Sequence, residues 1–89
     1  MLTDKPQVGD TIFMMEHGTY KIKEDRLIYK IKEARLISRG IDMVCVGLPY
    51  LVHGTMSQVM NYNIAFVFRD ELYDSFMEAI NAAEEKERG

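Results

Sequence analysis

Hydrophobic and polar positions alternate in short blocks over most of the chain and turn to helical spacing only near its end. Thr11-Ile12-Phe13-Met14-Met15 is β-branched and aromatic and predicts a strand. Val8-Gly9-Asp10 precedes it as a turn. Glu16-His17-Gly18-Thr19 breaks it, with Gly18 able to take the positive φ of a hairpin turn. Ile41 to Val46 predicts a short buried strand. Gly47-Leu48-Pro49-Tyr50 predicts a turn, because Pro49 has no N–H for a ladder. Leu51-Val52-His53 is a further short stretch of strand character, ended by Gly54-Thr55, and Met56 to Met60 fits neither period. From Tyr62 to Phe68 the alternation places Tyr62, Ile64, Phe66 and Phe68 on one face, which predicts a core strand burying those four side chains.

After Phe68 the period changes. Asp70 is placed to cap a helix, with Glu71 and Asp74 in its first turns. Leu72, Phe76, Ile80 and Ala83 form an apolar stripe, supported by Met77 and Ala79. This predicts a helix over 70–87, packed on the sheet and fraying where Glu84, Glu85 and Glu87 crowd its end. Residues 1–7 are polar around Pro6 and read as a flexible arm, and 8–69 read as mostly β within a single domain.

One stretch repeats. Tyr20 to Ile28 reads YKIKEDRLI and Tyr29 to Ile37 reads YKIKEARLI, so eight of nine positions match and Asp25 stands against Ala34. A local tandem duplication explains this, and two copies are too few for a solenoid. Nine is odd, so in one unbroken strand the second copy points every side chain to the opposite face. On a helix nine steps also end about half a turn away. A bulge, kink or turn is therefore expected near Glu24-Asp25-Arg26. Leu27, Ile28, Ile31 and Ala34 have helical spacing, whereas Tyr-Lys-Ile-Lys alternates in both copies. The segment thus reads as a bulged strand, a hairpin or a helix, with strand favoured for the second copy.

The Gly9-Asp10 turn leading into a first strand, and a last strand running from Phe66 straight into a helix reaching Ala83, resemble the small SH3-like barrel proteins of bacteria and their phages. That resemblance implies an α+β fold: a small, curved, mostly antiparallel sheet of SH3-like type with a C-terminal helix. It implies a binding fold rather than a chemistry. The duplicated nonapeptide departs from the pattern and leaves the strand register open.

Composition narrows the class further. With 89 residues there is room for one core, and 47% hydrophobic with 28% charged residues describes a globular chain. Cys45 is the only cysteine, so an intramolecular disulfide is excluded, and a small domain without staples points to a reducing cytoplasm. No apolar run approaches the roughly 20 residues needed to span a bilayer, and the N-terminal segment has no export signal, so no membrane partner is expected.

His17 and His53 are far apart with no Cys or His at ligand spacing near either, so no metal is expected. Ser38, Ser57, Ser75 and Cys45 lie in no nucleophile motif, and the glycines occur singly, so no catalytic residue and no cofactor is assigned.

Charge divides along the chain. Residues 20–39 hold seven basic side chains against three acidic, a net of +4, and residues 70–89 hold two against seven, a net of −5. The leading expectation is a non-enzymatic protein–protein interaction module, a phage or mobile-element accessory or inhibitor protein acting on a host factor. Its acidic residues Asp70, Glu71, Asp74 and Glu78 would face a basic groove on the partner. Self-association as a homodimer through 20–37 is the preferred mode, since long edge strands invite pairing. The alternative is a nucleic-acid-binding accessory module, with Tyr20, Lys21, Lys23, Arg26, Tyr29, Lys30, Lys32 and Arg35 meeting phosphates by charge and bases by stacking. A small hydrolase or transferase ranks third.

Overall fold

The second copy of the nonapeptide lies wholly inside one strand. The structure, a computed structural model, describes residues 1–17, 29–52 and 59–88. Strand β1 is Thr11–His17, β2 Tyr29–Arg39, β3 Met43–Val52, β4 Val59–Phe68 and β5 Leu72–Tyr73. A 3-10 turn, Arg69–Glu71, joins β4 to β5, and helix α1 is Phe76–Arg88. The strands form one antiparallel sheet in the order β4-β3-β2-β1-β5, so the class is α+β. The first nonapeptide copy and the expected interruption at Glu24-Asp25-Arg26 lie outside the described residues. A bulge does occur, at Leu36–Ser38.

That bulge sits where β2 changes partners. Tyr29 to Arg35 pairs with β1, and Arg35 to Arg39 pairs with β3. Leu36 also exchanges backbone bonds with the opening turn: Gly9 N–H donates to its carbonyl at 2.8 Å and its N–H donates to the Asp10 carbonyl at 2.9 Å. Gly9 holds φ at 98°, a conformation that favours glycine.

Ile12 and Met14 of β1, Ala34 and Leu36 of β2, Val44 and Val46 of β3, Val67 of β4 and Leu72 of β5 share one buried cluster. Strands from both ends of the sheet contribute, so the sheet curls around that cluster. Among the described residues its ladder stays open, with β4 and β5 as the outer strands. A cleft of about 330 Å³ lined by Met15, Glu16, Phe66 and Phe68 among others lies between β1 and the end of β4.

The opposite face of β1 and β2 is covered by the helix. Met15, Tyr73, Ala79 and Ala83 form a second cluster, with Phe13, Tyr29, Ile31 and Ala82 packed against it. Phe13 and Phe76 meet edge to face at 5.8 Å between ring centroids. Ser75 caps the helix: its hydroxyl accepts from the Glu78 N–H at 3.2 Å, and its carbonyl accepts from Ala79.

Four expectations need correction. The helix begins at Phe76 and not at 70, because Leu72 and Tyr73 form a two-residue strand that buries one side chain in each cluster. Asp70 therefore stands in the 3-10 turn, and the buried helical stripe runs through Ala79 and Ala83, leaving Phe76 and Met77 largely exposed. The flexible arm is strapped down. Leu2 is 0% exposed within the sheet core, its N–H meets the Arg69 carbonyl at 3.3 Å, and its carbonyl accepts from Arg69 Nε at 2.8 Å. Arg39 Nη2 donates to the Pro6 carbonyl at 2.6 Å.

The turn expected at Gly47 to Tyr50 is uninterrupted β3. Its ladder to β2 ends at Gly47, so beyond it Pro49 owes that side no donor. Finally, β4 is a strand as expected, but its faces are reversed: Ala65 and Val67 point to the core, while Tyr62, Ile64, Phe66 and Phe68 are exposed.

Two stability measurements test this packing. By urea denaturation, Leu2→Ala should cost about 2–5 kcal/mol, as for a filled core position, while Ile41→Ala, at a residue 92% exposed, should stay within about 0.5 kcal/mol. Equal, negligible effects would mean the arm is not part of the core. Ala34, buried against Ile12, is the position at which the two nonapeptides differ. Making the copies identical with Ala34→Asp should bury a carboxylate in the apolar cluster and cost several kcal/mol. Retention of wild-type stability would contradict that placement.

Candidate interaction surface

The residues singled out from the sequence do not converge. Tyr20, Lys21, Lys23, Arg26 and His53 lie outside the described residues. Lys30 stands opposite Glu16 in the β1–β2 register, and Lys32 Nζ lies 3.1 Å from Glu16 Oε1. Both partners of that ion pair are exposed, so it contributes little to stability. Arg35 places its guanidinium 5.2 Å from the centre of the Tyr62 ring, a cation–π contact.

Tyr29 meets the acidic helix. Its N–H donates to Glu87 Oε1 at 2.9 Å, and Lys86 Nζ lies 5.9 Å from its ring centre. Asp70 and Glu71 are exposed in the 3-10 turn, Glu78 is exposed on the first turn of α1, and Asp74 is tied to the N-terminal strap. Lys32 is thus paired within the sheet to Glu16 of β1, and Glu87 of the helix is bonded to the Tyr29 N–H at the start of β2.

Asp74 has the clearest perturbed acidity. Partial burial pushes its carboxyl up, but the Thr3 hydroxyl and N–H donate to it, and Lys5 and the N-terminal amine lie near. The net result is a carboxyl below the usual range. Tyr73 moves the other way: burial first, then Asp70, Glu71 and Glu85, raise its hydroxyl. Both shifts belong to groups that hold the fold together. Among the described residues no His, Cys, Asp or Glu cluster could hold a metal, and Cys45 is buried.

A surface that the sequence reading assigned to the core is the strongest feature outside it. On β4, Phe66 is 69% exposed, Ile64 57%, Phe68 54% and Tyr62 39%. They stand opposite Cys45, Gly47, Met43 and Pro49 of β3 in that order. Gly47 lets Tyr62 reach Arg35: a Cβ there would lie 3.3 Å from Tyr62 Cδ1 and 3.1 Å from Ile37 Cδ1. The outer face of the sheet is thus helix-covered over β1 and β2 and apolar but uncovered over β4. The sequence held a signal for this. Ile64-Ala65-Phe66-Val67-Phe68 is apolar at every position, so the strand has no polar face to offer water whichever way it is turned.

No family model matches the chain, and no curated protein or solved structure is significantly similar to it.

The Asp74 carboxyl gives a pH prediction. Its folded-state pKa lies below the unfolded value of about 3.9. Its contribution is therefore complete above about pH 4 and lost as pH falls through the depressed folded value. Asp74→Asn should flatten the acid limb of a stability–pH profile below about pH 4. An unchanged limb would show that the Thr3–Asp74 contact carries no weight.

Proposed function

We propose that this chain is a non-enzymatic protein-interaction module that binds through the outer face of β4. The observation that carries the reading is the row Tyr62, Ile64, Phe66 and Phe68, exposed together on an uncharged outer strand. Their exposed fractions amount to roughly 400 Å² of apolar surface, taking about 150–250 Å² for a whole aromatic side chain. A patch of that size is at the scale at which exposed apolar surfaces on monomers are functional. Burying it would yield about 10 kcal/mol before the costs of association.

The curled antiparallel sheet, the Gly9-Asp10 turn and the terminal helix support an SH3-like reading. The open ladder between β4 and β1 is where the chain departs from a closed barrel. An accessory or inhibitor role toward a host factor follows from that resemblance. The binding row stands on its own geometry. The nucleic-acid reading draws less support, because Lys32 and Arg35 are occupied by Glu16 and Tyr62, and the Tyr29 ring by Lys86.

Site-specific photo-crosslinking tests the proposal. A photoreactive residue at Phe66 should give covalent protein adducts in the native host, whereas the same residue at the exposed control position Ile41 should not. No adduct at Phe66, or equal labelling at both sites, would remove the basis for this surface. A gel shift with nucleic acid that weakens steeply with added salt would favour the phosphate-binding alternative instead.

A further inference from the structure

The uncovered row has an edge as well as a face, and the register shows which backbone groups that edge presents. Arg69 N–H donates to the Asp42 carbonyl at 3.0 Å, which makes Asp42 and Arg69 a bonded pair one step beyond Met43↔Phe68. Bonded and non-bonded pairs alternate along an antiparallel ladder. Phe68 is therefore non-bonded toward β3, as are Phe66, Ile64 and Tyr62. Two facts on β3 agree: the Met43 carbonyl turns to the other side, accepting from Gly40 N–H at 2.8 Å, and Pro49, opposite Tyr62, has no N–H to give. The N–H and C=O groups of Tyr62, Ile64, Phe66 and Phe68 accordingly point away from β3, on the same four residues whose side chains are exposed.

Outer strands are ordinarily blunted by a lysine, a proline or a bulge. Strand β4 carries none of these. Val59–Phe68 contains no charged residue and no proline, and it pairs with β3 through ten successive positions without a register shift. The cleft beside Phe66 and Phe68 separates this edge from Met15 and Glu16 of β1.

We propose that β4 pairs antiparallel with β4 of a second copy of this chain about a two-fold axis, a proposal that rests on the interaction reading above. The register places Tyr62 opposite Phe68 and Ile64 opposite Phe66, with the axis beside Ala65. In that register all four outward residues of each copy find partners, and each pair exchanges two backbone bonds. A two-fold axis sets a strand against itself, so charges near the axis would repel their own copies. The uncharged strand meets that condition, which a partner of opposite charge would not require. On the outer face, Ile64 and Phe66 of the two copies form a central apolar cluster flanked by Tyr62–Phe68 aromatic pairs.

The four side chains supply about half of the roughly 800 Å² per partner of a standard interface, and the edge backbone and Met43 add to it. The dimer is therefore reversible and concentration-dependent. Self-association moves from 20–37, whose described part pairs with β1 as far as Arg35 and with β3 from Arg35 onward, to the outer strand.

Sedimentation of the intact chain across a wide concentration range tests this. The mass should rise from 10.3 kDa toward twice that value. Ile64→Pro removes one outward N–H and no bond to β3, and Phe66→Lys brings like charges near the axis. Both should sediment as monomers at every concentration, with strand circular dichroism retained. If Ile64→Pro fails to fold, Phe66→Lys decides. A wild-type chain that stays monomeric throughout, or a folded Phe66→Lys variant that still dimerises, overturns the proposal. A wild-type monomer whose Phe66 crosslinks a different protein overturns the second copy as occupant and leaves the interaction reading standing. Absence of any adduct removes both.

Discussion

Strand β2 has to satisfy two ladders that run off in different directions, and the rest of the molecule follows from how it does so. Its first half is bonded to β1 and its second half to β3, with Arg35 paired on both sides and a bulge one residue later. An extra residue in one strand bends it and tightens its twist. That bend lets Ala34 and Leu36 share a cluster with Val44 and Val46 from one hairpin and with Ile12 and Met14 from the other. Without it the sheet would be flatter, and Val67 and Leu72, from opposite ends of the strand order, would have no reason to meet.

The same strand shows what the duplication can and cannot do. Within Tyr29–Ile37 the side chains Tyr29 and Ile31 pack toward the helix, while Ala34 and Leu36 pack into the inner cluster. The nonapeptide is two-sided by construction, so it suits a strand covered on both faces. The single difference between the copies falls at Ala34, an inward position where a carboxylate has no partner. Ala34 is thus what fits the second copy to the centre of the sheet.

Much of the fold was legible because it depends on local pattern. The β1 alternation, the strand character of the second copy and a terminal helix were all readable from a dozen or fewer residues each. What was misread depends on distant partners. Leu72 and Tyr73 look helical because they fall at helical spacing from Phe76, and only pairing with Met14 and Phe13 makes them a strand. Pro49 looks like a turn until the β2 ladder is known to stop at Gly47. On β4 the larger side chains were taken as the buried ones, yet the curled sheet leaves room inside only for Ala65 and Val67. Both faces are apolar from Ile64 to Phe68, and the Asn61 and Asn63 alternation before them pointed to the face that the structure exposes. The interaction surface was therefore missed by the same reasoning that found the strand. The charge division pointed elsewhere, to residues such as Lys32 and Arg35 that the folded chain sets against Glu16 and Tyr62.

The N-terminal strap has a consequence for how the chain reaches this state. Leu2 fills a space bounded by strands from the whole sheet, and its backbone is held by Arg69 while its neighbour Thr3 is held by Asp74. Leu2 and Thr3 thus dock onto Arg69 and Asp74, 67 and 71 positions further along the sequence. During vectorial synthesis that seat is incomplete until the β4–β5 connection has emerged, so the interior stays unfinished until then. Contacts of such long sequence separation place the molecule among slow-folding topologies, and they make closure of the core wait on the β4–β5 connection.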